Sequence, residues 1–138
     1  MLQLQIKRGV LLIGLIMLTG CEATYTLTIN KDTKYLAPYS CVYTTKLKEL
    51  IVPSNIEEIG HGAFYNSKAL EKVTFEEGVK KINDKAFMRS ENLKQIKFTN
   101  TINTLGEAAF AYCTNLDNIN IPSSIFNLSN DLFNNCLS

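Results

Sequence analysis

The sequence carries one histidine, His61, in the stretch EEIGHGAF spanning residues 57–64. An imidazole between two glycines, with Glu57 and Glu58 close by, has the ingredients of general acid–base chemistry. A working base must also be held by partners within hydrogen-bond reach of the proton it moves. The cysteines form a second chemically capable set. Cys113 and Cys136 stand 23 residues apart, which raises a disulfide. No C-x-x-C pair and no second histidine occur, which argues against a zinc site. A third candidate, Cys21, follows a long apolar run. Which of these side chains meet depends on the elements that carry them.

Residues 1–20 differ in kind from the rest. MLQLQIKR supplies Lys7 and Arg8, GVLLIGLIML (9–18) is unbroken apolar sequence, and LTGC (18–21) brings small residues before Cys21. This is the order of an export signal. Ten apolar residues span about 15 Å as a helix, half a bilayer's hydrocarbon core, so a permanent membrane span is not expected. Leu18-Thr19-Gly20-Cys21 resembles the lipobox of bacterial lipoproteins. The resemblance implies a diacylglyceryl group on the Cys21 sulfur and cleavage before it by signal peptidase II. Stable anchoring needs more than one acyl chain. Removal of residues 1–20 leaves 12 of the 14 basic residues against 13 acidic ones, a formal charge of −1. A nucleic-acid partner, which needs a basic face, is therefore not expected.

Cut at Leu47 and every 23 residues afterwards, the remainder aligns as four lines without a gap: 47–69, 70–92, 93–115 and 116–138. Column one is Leu47, Leu70, Leu93 and Leu116. Column four is Leu50, Val73, Ile96 and Ile119, and column six is Val52, Phe75, Phe98 and Ile121. Columns ten and thirteen are aliphatic throughout, and column eighteen is Phe64, Phe87, Phe110 and Phe133. A 23-residue unit cannot bury its own apolar face, but stacked units can, each column forming a ladder. Columns four and six alternate with polar column five, which predicts a strand. Columns thirteen and seventeen are four apart, which predicts a helical turn carrying the Ala-Phe pair. The expected fold is an α/β solenoid. A parallel sheet lies on its concave side, and short extended segments and helical turns complete each coil.

Pro53 and Pro122 after the strand, Ile59-Gly60 and Leu105-Gly106 before the turn, then Ala-Phe and a small residue or Cys three positions on, resemble the BspA-like leucine-rich repeat. The line from Leu116 to Cys136 follows that pattern closely. Phe75 and Phe98 replace the second strand aliphatic in the two middle lines, where the proline is also missing. The resemblance covers residues 47–138. It implies a curved right-handed solenoid, commonly secreted or on the cell surface and often proposed to bind host proteins, but no defined ligand. Upstream, counting back 23 places Leu27, Ile29, Leu36 and Ser40-Cys41 in columns four, six, thirteen and seventeen-eighteen. Residues 21–46 therefore read as the lipidated N-terminus and a degenerate capping coil, since terminal repeats are atypical. At the other end, an unpaired last strand is a template for another chain. Self-association there, or Phe126 and Leu137 folding over the end, is expected.

The register decides among the candidates. His61 falls in column fifteen with Asp84, Glu107 and Asn130, an outward polar slot, so no catalysis and no cofactor are expected. Cys113 and Cys136 share column twenty-one with Ser67 and Ser90. Adjacent coils put their Cα atoms about 4.8 Å apart, within disulfide range, but parallel Cβ vectors disfavour the bond, and small residues filling an inner corner are the better reading. Columns three and five place Glu49, Ile51, Lys72, Thr74, Gln95, Lys97, Asn118 and Asn120 on the sheet face away from the core. That face is the expected binding surface for a protein or glycan partner, on a protein lipid-anchored in the bacterial envelope through Cys21.

Overall fold

Parallel pairing at a fixed offset of 23 residues organises the chain in its computed structural model, which describes residues 2–6, 9–13, 27–29, 31–117 and 119–136. The strands in chain order are β1 (Leu2–Ile6), β2 (Gly9–Ile13), β3 (Thr28–Ile29), β4 (Tyr35–Leu36) and β5 (Glu49–Val52). After them come β6 (Glu58–Ile59), β7 (Lys72–Phe75), β8 (Lys81–Ile82), β9 (Gln95–Lys97) and β10 (Thr104–Leu105). One parallel sheet runs β5-β7-β9, with Leu50 beside Val73 and Val73 beside Ile96. A second runs β4-β6-β8-β10, with Leu36, Ile59, Ile82 and Leu105 in one line. Column six lies on the first sheet and column thirteen on the second, so the core is the space between them. β1 and β2 form an antiparallel hairpin, and β1 also pairs with β3. The start of the chain is thus extended. Lys7, Arg8 and Cys21, with the rest of residues 14–26, lie outside the described residues.

The core is built from like residues on like. Phe64, Phe87 and Phe110 are fully buried and stack nearly parallel, with centroids 5.2 and 5.3 Å apart. Phe133, half-buried, continues the pile at 5.8 Å. Phe75 and Phe98 form a second stack at 5.9 Å. This stack meets the first edge-on, Phe75 against Phe87 at 85° and Phe98 against Phe110 at 84°. Offset stacking and T-shaped contacts are the two arrangements that aromatic quadrupoles favour. The phenylalanines that depart from the family pattern at column six therefore lock the strand layer to the turn layer.

The expected helical turns are not found among the described residues. Residues 61–66, 84–89 and 107–112 are successive turns instead. The backbone reason is regular. Column sixteen (Tyr39, Gly62, Lys85, Ala108, Asp131) and column twenty (Tyr43, Asn66, Arg89, Tyr112, Asn135) are left-handed in every coil, with φ from 53° to 64°. The amides of columns sixteen, eighteen and twenty donate to the following coil, as Gly62 N–H does to Asp84 O, Phe64 to Ala86 and Asn66 to Met88. Those of columns seventeen, nineteen and twenty-one close turns inside their own coil, as Ala86 N–H does to Asn83 O and Met88 to Lys85. An α-helix would turn every donor along its own axis. Interposed left-handed residues rotate alternate amides toward the neighbour, so the turn side is cross-linked as the sheets are. Gly62 is fixed twice over, because its φ is 57° and the Tyr39 ring lies where a Cβ would project.

The last coil departs from the expected strand. Residues 119–121 form none, and Asn118 lies outside the described residues. The coil is held on its turn side, where the amides of Ala108, Phe110 and Tyr112 donate to Asn130, Leu132 and Asn134. Phe126 does not fold over the end but stands 89% exposed, beside exposed Leu128, and Leu137 is not described.

Two outcomes follow for stability. Phe87→Ala removes the ring that contacts both stacks and lowers unfolding free energy by about 3–5 kcal/mol; Phe133→Ala, at the end of its pile, costs less than half of that in the same urea titration. Lys85→Asn replaces an exposed side chain held at φ 57° with a residue that tolerates the left-handed region. It raises stability by about 0.5–1 kcal/mol, and an unchanged or lower urea midpoint would refute the left-handed turn.

Candidate functional site

The sheet β5-β7-β9 sorts its side chains by the period-two rule. Leu50, Val52, Val73 and Phe75 point into the core and are buried. Glu49, Lys72 and Gln95 form one outward row, and Ile51, Thr74 and Lys97 the next, in strict register. All six are exposed except Thr74, which is half-buried. Six of the eight residues expected on this face are therefore brought together. Asn120 is exposed in a segment without strand, and Asn118 lies outside the described residues. A hollow of about 840 Å³ opens on this face, lined by the polar Lys72, Thr74, Lys94, Gln95, Lys97, Asn115 and Asp117 and the apolar Val73 and Ile96. Lys94, Asn115 and Asp117 belong to columns two and twenty-three, which sequence reasoning had not placed on the surface. The signal was available, since column two is charged in every line: Lys48, Glu71, Lys94 and Asp117.

That column also shows how charge is arranged along the stack. Glu71 bridges Lys48 at 3.3 Å and Lys94 at 3.6 Å. Hydrogen bonding to Lys48, then the Coulomb fields of Lys48 and Lys94, hold the Glu71 carboxyl below the usual carboxylate range. Columns eleven, twelve and twenty-two repeat the device, with Glu57–Lys80 at 2.8 Å, Glu58–Lys81 at 3.5 Å and Lys68–Glu91 at 3.8 Å. Opposite charges 23 apart in sequence are neighbours across coils. These pairs are solvent-exposed and add little to stability. Lys72 and Lys97 enter no ion pair among the described residues, although Glu49 sits on the adjacent strand from Lys72.

The remaining candidates resolve differently. His61 packs edge-on against Tyr39, with ring centroids 5.3 Å apart. Glu57 is tied to Lys80, and Glu58 to Lys81 and to the Asn83 amide at 2.6 Å. The apparent histidine–carboxylate group is three separate inter-coil contacts. Among the described residues no cluster of His, Cys, Asp and Glu could hold a metal ion. Cys113 and Cys136 are free thiols. Cys113 Sγ donates to Phe87 O at 3.3 Å and Cys136 Sγ to Phe110 O at 3.1 Å. Ser67 and Ser90 make the same bond to Cys41 O and Phe64 O one coil back. Column twenty-one is thus a ladder of small donors on the carbonyls of column eighteen. Burial, then the neighbouring Cys136, pushes the Cys113 thiol far above its ordinary range, and it stays protonated and inert. Thr44 occupies the same column, and its buried hydroxyl finds no partner among the described residues.

Exposed tyrosines gather on the turn side of the first coil: Tyr35, Tyr39 and Tyr43, with Tyr43 edge-on to Tyr65 at 6.2 Å. Further along, the Arg89 guanidinium lies 5.5 Å from the Tyr112 ring centroid. Tyr39, Tyr43 and Tyr112 occupy left-handed positions, which their residue type gives no reason to expect.

Stacked coils with one outward parallel sheet and a recessed polar face define a leucine-rich-repeat scaffold. The chain belongs to the BspA type leucine-rich repeat family, whose model matches residues 7–138 in 6 copies. That is two more than the four gap-free lines. Among solved structures, a leucine-rich repeat protein of T. pallidum is similar at a TM-score of 0.72 and 23% identity, covering 75% of this chain and 48% of that one. A leucine-rich cell surface protein of Faecalibacterium prausnitzii is similar at a TM-score of 0.60 and 27% identity, covering 75% of this chain and 28% of that one. The chain therefore spans less than half the length of either. No curated protein sequence matches it.

Proposed function

We propose that this chain is a lipid-anchored bacterial surface protein whose solenoid binds a protein or glycan partner on the outward face of β5-β7-β9. The observation that carries this reading is the hollow of about 840 Å³ on the β7-β9 side of that face. Ligand sites are concave and bring a few polar groups together. Here most polar walls come from the variable strand columns, with Val73 and Ile96 of the apolar column four between them. The mechanism is shape and charge complementarity on a pre-formed surface, and it asks for no nucleophile, metal or cofactor. The similarity to a protein named as a cell-surface protein supports the location. So does the order of basic start, apolar run and Leu18-Thr19-Gly20-Cys21.

Two experiments test it. With the protein immobilised and exposed to extracellular matrix proteins and glycans, joint replacement of Lys72, Gln95 and Lys97 by alanine reduces retention of the bound partner at least tenfold, about 1.4 kcal/mol; equal retention overturns the face assignment. Metabolic labelling with palmitate marks the protein in a bacterial host and is abolished by Cys21→Ala. Persistent label in that variant, or none in the parent, removes the anchor from the proposal.

A further inference from the structure

The partner's chemistry is written in what lines the hollow and in what is missing from it. Of its ionisable side chains, three are lysines (Lys72, Lys94 and Lys97) and one is an aspartate, Asp117. Lys94 is partly satisfied by Glu71 at 3.6 Å, whereas Lys72 and Lys97 are engaged by no acid among the described residues. The concentration of positive charge is local, since the whole sequence carries 14 basic and 13 acidic residues. Glu57, Glu58, Glu71 and Glu91 are spent on rows that pair across coils. Two uncompensated ammonium groups on adjacent strands of a concave face focus field lines and attract anions.

The other polar walls are Thr74, Gln95 and Asn115, and Val73 and Ile96 add apolar surface between them. Their hydroxyl and amide groups donate and accept, as a polyhydroxylated ligand requires. Among the described residues no aromatic side chain and no arginine lines the hollow. Protein–protein hot spots are built on Trp, Tyr and Arg in desolvated pockets, and single-stranded nucleic acid needs aromatic platforms for its bases. The one strongly exposed apolar residue of the face, Ile51 at 58%, lies outside the lining. A volume of about 840 Å³ sits within the roughly 300–1,000 Å³ range of compact ligand sites.

Resting on the binding-face reading above, we infer that this hollow takes an acidic oligosaccharide, its carboxylate or sulfate groups meeting Lys72 and Lys97 and its hydroxyls meeting Thr74, Gln95 and Asn115. The anion can come from a uronic acid or from a sulfate ester, and the two share the same lysine contacts.

The test is isothermal titration of the purified full-length chain with four probes. They are a galacturonic acid tetrasaccharide, its methyl ester, a heparin-derived tetrasaccharide and tetraglutamate. At least one acidic saccharide binds, and that affinity falls as salt rises from 50 to 200 mM. If the galacturonide is the binder, its methyl ester is at least tenfold weaker, and the ratio of galacturonide to heparin fragment tells carboxylate from sulfate. Joint Lys72→Gln and Lys97→Gln substitution lowers that affinity at least tenfold, while Lys34→Gln with Lys85→Gln, on the turn side, leaves it unchanged. Failure of both acidic saccharides to bind, an ester that binds as well as its acid, or tetraglutamate binding as tightly as the acidic sugar each overturns the inference. The broader reading is judged separately: a neutral glycan or a protein whose retention is still lost on joint replacement of Lys72, Gln95 and Lys97 leaves the face a binding site and removes only its preference for acidic sugars.

Discussion

Everything in this molecule depends on contact between a residue and the residue 23 positions away. The stacked rings of Phe64, Phe87, Phe110 and Phe133 are its plainest form. No coil contains a core of its own, because its apolar side chains turn toward a space that only the neighbours close. Burial is therefore gained at each interface between coils, which makes stability a sum over neighbours instead of a property of one centre. Phe75 and Phe98 add a requirement, since their edges meet the faces of Phe87 and Phe110 at close to right angles. Strand layer and turn layer must then advance by the same step, and a shift of one against the other would break both stacks together.

Backbone hydrogen bonds obey the same step. On the sheets the pairing is ordinary and parallel. On the turn side it requires a peptide orientation that a helix cannot give, and the left-handed residues at columns sixteen and twenty provide it. The conformation has a cost for side chains with a Cβ, roughly 1–2 kcal/mol for each residue held left-handed. Gly62, Asn66, Asn135 and Asp131 bear it easily. Tyr39, Tyr43, Lys85, Arg89, Ala108 and Tyr112 do not, and each still adopts it, because the alternative leaves inter-coil amides without acceptors in a buried wall. Tertiary constraint here outweighs local preference at most of the left-handed sites.

How much of this was legible in the sequence follows from the same distinction. The stack, its register and its core columns were readable, because burial selects residue type directly: a slot facing phenylalanine above and below is itself phenylalanine. The outward rows of β5, β7 and β9 were readable through strand alternation. The turn was misread as helical, because the spacing of Ile59 and Ala63 fits a helix as well as it fits two linked turns, and only the sign of φ separates them. A mixed column of Gly, Asn, Tyr, Lys and Ala conceals that sign. The ion pairs were overlooked for a simpler reason. Glu57 and Glu58 looked like neighbours of His61 along the chain, whereas their partners Lys80 and Lys81 lie one coil away. Residues 119–121 form no strand, and Asn120 among them has little β preference.

This architecture separates what holds the fold from what meets the outside. A side chain in column four or eighteen is packed between its counterparts in adjacent coils, so its identity repeats. One in column three or five answers only to the residues beside it on the same face, and Glu49, Lys72 and Gln95 succeed each other there without disturbing anything beneath. Charged columns that pair across coils, such as column two, are intermediate, because a cation in one coil is satisfied by an anion in the next. Against that background Lys72 and Lys97 stand apart. They are cations on the free face, in rows where the alternation of sign breaks off after Glu49. The stack pairs Lys48, Lys68, Lys80, Lys81 and Lys94 with acids of adjacent coils, whereas Lys72 and Lys97 line the hollow without such a bridge among the described residues, which leaves their charge open to a group from outside the chain.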